Sequence, residues 1–204
     1  MTPRGALLYA RGSVFVALLA SAAVSALLPF WQDFFALWTH GAVPYNAVLT
    51  FTLLVGTGMV APSLLALGFA NYSNRGELLA RTKGLQLVVF LALSFALIPP
   101  MGPLGAALAV VASDLLIQFG LLGLVVIGQT LQRPLAHLAY LAGLMLAVTL
   151  GGWALGMAIR SLLGGAGLLR FVVECAVWSA VVAALSAPLL SARLRERLID
   201  TIPR

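Results

Sequence analysis

Six residues carry most of the chemistry this sequence offers: Asp114, Gln118, Arg75, Arg81, Lys83 and Gln86. Asp114 stands in the middle of an otherwise apolar run, where a charge costs at least about 2.5–3.5 kcal/mol. Gln118 lies one helical turn further on and shares its face, and Ser113 is adjacent. Such a set suits a proton- or cation-linked site, or the polar lining of a transport path. It suits equally an aspartate that is protonated or hydrogen-bonded and holds two helices together. Arg75, Arg81 and Lys83 form a basic cluster, with Gln86 one turn past the lysine. The cluster reads either as an orientation signal or as an attractor for an anionic head group, such as the diphosphate of a lipid-linked sugar.

The remaining polar residues point to structure. Glu174 follows Arg170 by one turn, which predicts a local ion pair. Asp33 sits near one end of an apolar run, within reach of interfacial water. His40 and His137 have no cysteine or carboxylate at ligand spacing, and they fall near opposite membrane faces. No phosphate-binding glycine loop, HExxH or GxSxG occurs, nor do the paired aspartates of a membrane head-group transferase. The single cysteine, Cys175, excludes a disulfide framework and a thiolate metal cage. The expectation is a protein that is not an enzyme and uses no cofactor and no metal.

The elements that must position these residues follow from composition. Of 204 residues, 62% are hydrophobic and only 9% charged. A soluble domain carries about 25% charged residues. An ordinary cytosolic domain, a disordered chain and a nucleic-acid binder are excluded. Apolar runs cover residues 12–38, 45–70, 84–98, 104–128, 134–159 and 168–190. None alternates strictly, as barrel strands would, so helices are the spanning structure. The expected fold is all-α: one polytopic membrane bundle of six transmembrane helices. Pro62, deep in the second run, should kink it. The prolines and glycine at 99–103 predict a sharp turn that ends the third run at residue 98. Gly152 and Gly156 form GxxxG, and Gly102, Gly105, Ala106 and Ala109 give the fourth run a small-residue face, both packing signals.

Of the 12 basic residues, Arg4, Arg11, Arg75, Arg81, Lys83, Arg133, Arg193, Arg195, Arg197 and Arg204 fall on one side of this six-span layout. Only Arg160 and Arg170 fall on the other. The positive-inside rule then places both termini in the cytoplasm. The net charge of +6 is explained by topology and anionic lipids, with no nucleic acid needed. An alternative is a leader peptide cleaved after Val24-Ser25-Ala26, but the apolar run continues past it through Phe30, Trp31, Phe34, Phe35 and Trp38.

Certain residues also carry a resemblance. Leu67-Gly68-Phe69-Ala70-Asn71 precedes the basic segment Asn74-Arg75-Gly76. A short span then ends in Ile98-Pro99-Pro100-Met101-Gly102-Pro103-Leu104-Gly105-Ala106-Ala107-Leu108-Ala109. This order resembles the C-terminal lobe of the polysaccharide-biosynthesis flippases, the O-antigen and lipid-linked oligosaccharide exporters of the multidrug/oligosaccharidyl-lipid/polysaccharide superfamily. Leu37-Trp38-Thr39-His40-Gly41 is similar to the turn after an earlier span of that family. The likeness covers about residues 31–118. It implies export of a lipid-linked oligosaccharide across the bacterial inner membrane, with the head group in a central cavity and the tail in membrane lipid. Such transporters are two-lobed, with sites between lobes. The resemblance therefore also implies a missing N-terminal lobe or a second copy as partner, and it assigns no substrate-binding residue. Other readings are a lipid II or drug exporter of the same superfamily, a non-transporting scaffold for envelope polysaccharide assembly, and a membrane transferase subunit. The absence of nucleotide motifs argues only against ATP hydrolysis by this chain.

Overall fold

A computed structural model describes residues 3–129, 131–163 and 168–186. Of these residues, 88% are helical and none lies in a strand. Helix α1 spans Pro3–Leu27, α2 Trp31–Thr39, α3 Ala47–Val60 and α4 Ser63–Tyr72. Helix α5 spans Gly76–Met101, α6 Pro103–Gly128, α7 Pro134–Leu162 and α8 Leu168–Ser186. The middle of α6, Asp114–Leu122, is wound as a π-helix.

Local chemistry sets the boundaries. Pro103 and Pro134 open α6 and α7, where a missing N–H leaves no bond unmade. The Asn46 side chain caps α3 by accepting from the Leu49 N–H at 3.0 Å. Gly102 ends α5 at φ 57° and ψ −131°, a conformation open to glycine alone.

Close contacts fix how the helices run past one another. Ser13 meets His137, and Ser25 would collide with a Cβ on Gly152, as Pro29 would with one on Gly156. Helices α1 and α7 are therefore parallel, with the GxxxG pair at their seam. Gly56 faces Val111 and Ser63 faces Gln118, so α3 and α4 run parallel to α6. Gly58 touches Val24 while Gly12 touches Leu65, which makes α1 antiparallel to α3 and α4. Helices α5 and α6 form an antiparallel hairpin, closest where Gly105 lies against the Leu97 carbonyl. Trp178 donates to the Gly152 carbonyl at 3.0 Å and seats α8 on α7. The path alternates in direction, and it gathers Arg11, Arg75, Arg81, Lys83 and Arg133 at one end, with Arg160 and Arg170 at the other.

The all-α expectation holds, and the span layout is met in part. Among the described residues, four helices are long and apolar enough to cross a membrane, or five if the α3–α4 pair counts as one broken span. That pair is bent by 43° at Ala61 and Pro62, as the proline requires. The run 12–38 is split into α1 and the short α2, because Pro29 interrupts it. The run expected at 84–98 is the longer helix α5. It begins at Gly76 because Glu77 favours a helix start and pairs with Arg81 one turn on. It continues through Pro99 and Pro100, which remove ladder bonds only in the last turn. Helix α8 carries Arg170 and Glu174 in its first turns; residues 187–190 and the basic residues beyond them lie outside the described residues.

Candidate functional site

Lys83 and Gln86 lie one turn apart on α5, and Asp114 and Gln118 one turn apart on α6. The antiparallel hairpin brings the two pairs face to face. The Lys83 ammonium donates to Gln86 Oε1 at 2.8 Å and also to Gln118 Oε1. Gln86 Nε2 donates to Asp114 Oδ1. Gln118 Nε2 donates to the Ser63 hydroxyl at 2.9 Å. The lysine and the aspartate do not touch. An amide stands between them on one side, and the second amide links the lysine to the α3–α4 bend.

Two features of this cluster bear on chemistry. First, depth: Asp114 lies about 17 Å along the axis from the start of α6 and about 20 Å from its end, close to the centre of a bilayer core about 30 Å thick. Second, the direction of Lys83. A lysine near a membrane surface normally extends its stem outward to reach water. Here the ammonium turns inward, toward Gln118. Opposite charges, each bonded to an amide, are what such depth requires, because an unpaired ion would be far more costly.

The cluster borders an open groove of about 320 Å³. Lys83, Gln86, Ser113 and Asp114 form its polar wall, and Leu87, Phe90 and Val110 its apolar wall. Lys83 is exposed and Asp114 half-buried, whereas Gln118 is only 8% exposed and packed inside the bundle. The arrangement can hold a ligand that presents an anion to Lys83 and hydroxyls or a cation to Asp114, with an aromatic face beside them.

Of the six candidates, the structure brings Lys83, Gln86, Asp114 and Gln118 together and leaves Arg75 and Arg81 apart. Arg75, in the turn before α5, donates to Gln129 at the end of α6 and stands 6.0 Å over the Phe69 ring. Arg81 is exposed and paired with Glu77. Ser63, buried at 3% exposure, is a member of the cluster that sequence reading missed. Its signal was present: a hydroxyl directly after Pro62, in a helix that has lost ladder bonds.

The other polar residues tie elements together at the opposite end. Arg160 on α7 pairs with Asp33 of α2 at 2.8 Å and donates to the Pro29 carbonyl at 2.9 Å. Arg170 pairs with Glu174 at 2.7 Å, as the spacing suggested, and donates to the Arg160 carbonyl at 3.2 Å. His137 is wholly buried and shares a 2.8 Å hydrogen bond with Ser13. It joins α1 to the first turn of α7, at the other end of the bundle from Arg160 and Arg170. Among the described residues no group of three or more His, Cys, Asp and Glu could hold a metal.

Compared with family models, curated proteins and solved structures, the chain gave no match.

Proposed function

We propose that this protein exports a lipid-linked oligosaccharide or polysaccharide precursor across the bacterial inner membrane, as one lobe of a two-lobed transporter. The observation that carries this reading is the groove between α5 and α6. Its polar wall stands at membrane depth on the outside of the bundle, where lipid chains alone would leave Lys83 and Asp114 poorly solvated. A second lobe, or a second copy, placed over that face would turn the groove into half of an enclosed polar path. Lys83 would meet an anionic head group, and Asp114 would line the path. Arg75 and Arg81 lie nearer the basic end and would act on the approach. The gathering of described basic residues at one end supports placing both termini in the cytoplasm. The order of small-residue span, basic turn and glycine hairpin supports the export reading over other membrane functions.

The test is transport of a fluorescent lipid-linked sugar in proteoliposomes. Asp114→Asn and Lys83→Gln should each lower the initial rate at least tenfold while expression and thermal stability hold. Undiminished rates in both variants would remove the groove from the path.

One observation favours a non-transporting scaffold instead. Gln118 is packed inside the bundle and bonded to Ser63, as a purely structural cross-brace would be. Under that reading the Asp114→Asn variant loses stability rather than rate.

A further inference from the structure

The groove and the α3–α4 bend are joined by one side chain. Pro62 has no N–H, so the helical ladder lapses there. The nearby bonds tighten to shorter loops: Ala61 N–H to the Gly58 carbonyl at 3.1 Å, Leu64 N–H to Ala61 at 3.1 Å, and Leu65 N–H to Pro62 at 3.2 Å. None of them reaches the Val60 carbonyl. The Ser63 hydroxyl donates to it instead, at 2.6 Å. The same hydroxyl accepts from Gln118 Nε2, while Gln118 Oε1 accepts from the Lys83 ammonium. An unbroken chain therefore runs from the cation on the groove, through one buried amide, to the carbonyl that the bend leaves without its backbone donor. Gln118 sits in the π-helical stretch of α6, a winding found mostly as short insertions in α-helices, often at functional sites.

We infer that Ser63 is a positioning residue that couples the angle of the α3–α4 bend to the state of Lys83 in the groove, through Gln118. An anion that draws the ammonium away removes the partner of Gln118 Oε1. The buried amide must then re-pair, because a buried carbonyl left without a donor is unfavourable. Its turning loosens the hold on Ser63 and on the Val60 carbonyl. Helix α4 is about 15 Å long, so removing a 43° bend would carry its end by about 10 Å. The biological use of this coupling rests on the groove being the ligand site, as proposed above. The coupling itself belongs to the protein alone, and its test needs no substrate.

The experiment is pulsed electron spin resonance on the full chain in lipid nanodiscs. Labels are placed at Tyr72→Cys, the exposed end of α4, and Leu135→Cys, exposed on the first turn of α7, with Cys175→Ala as background. The parent and Ser63→Thr, which keeps the hydroxyl, should share one narrow distance. Lys83→Met and Ser63→Ala should each add a second population displaced by several ångström, within the limit of about 10 Å set by the arm length. The double variant should match Ser63→Ala alone. Because Lys83 is exposed, Lys83→Met is expected to fold, and its result decides the matter if Ser63→Ala does not. Parent-like distances in Lys83→Met would overturn the coupling. So would additive shifts in the double variant, or Ser63→Thr behaving like Ser63→Ala. A failed transport assay would leave these distances unchanged, so the two readings fail separately.

Discussion

Glu174 shows how a single residue can depend on one partner. Its side chain is fully buried, one oxygen accepts from Arg170, and among the described residues Oε2 has no hydrogen-bond partner. Removing one member of a buried pair leaves an uncompensated charge, which costs about 3–5 kcal/mol. Arg170→Met should therefore lower the thermal midpoint markedly in detergent. Adding Glu174→Gln to it should recover most of the loss, since the amide carries no charge. Equal loss in the single and double variants would mean that Arg170 stabilises through its carbonyl contacts instead. At this scale the sequence was informative where spacing is local. The Arg170–Glu174 pair and the Asp114–Gln118 face follow from helical periodicity alone. The convergence of Lys83 on Gln118 does not, because it depends on which helix pairs with which. The burial of Glu174 and His137 was hidden for the same reason.

Helix seams are set by glycines, and their effects can be ranked. A Cβ on Gly105 would lie 2.1 Å from the Leu97 carbonyl oxygen, a backbone atom that cannot swing aside. A Cβ on Gly143 would meet nothing within 4 Å. Gly105→Ala should cost about 1–3 kcal/mol by overpacking, whereas Gly143→Ala should be neutral or slightly stabilising, a contrast that thermal unfolding resolves. If both variants melt alike, the α5–α6 approach is wider than described. The GxxxG seam, the small-residue face of α6 and the Pro62 kink were all legible, because each rests on residue size or a missing N–H. Another stripe went unread. Ala10, Ser13, Ala17 and Ser21 recur every three or four residues and form the buried face of α1, yet hydropathy averaged over a window conceals serines. The start of α5 was misjudged because charged residues at 77–83 look like a loop until their own i,i+4 pairing is considered. The π-helical turn of α6 leaves no mark in composition or periodicity.

For the whole molecule, the proposed orientation with cytoplasmic termini makes a direct prediction. The turn before α3 should lie outside the cell, and the turn between α6 and α7 inside. In a Cys175→Ala background, a membrane-impermeant maleimide should label Val43→Cys on intact cells. It should reach Gln132→Cys only after the cytoplasmic face is opened. The inverse pattern would reverse the orientation, and labelling of both from one face would require a different number of crossings. The number of spans was legible only in part, as several apolar helices of membrane-crossing length. Apolar length counts α2 as part of a full crossing, but Pro29 breaks that run.

The turn at Gly102 joins α5 to α6 through a single residue and carries no charge. Its consequence lies in biosynthesis. Two helices with no slack between them would have to enter a membrane together as one hairpin, its uncharged tip leading. Presented singly to the insertion machinery, Lys83 and Asp114 would each oppose partitioning into lipid. Delivered together on facing helices, with Gln86 between them, they would offset one another during the crossing. The polar groove is lined by this one hairpin alone, so a membrane that received the hairpin would receive the groove already formed.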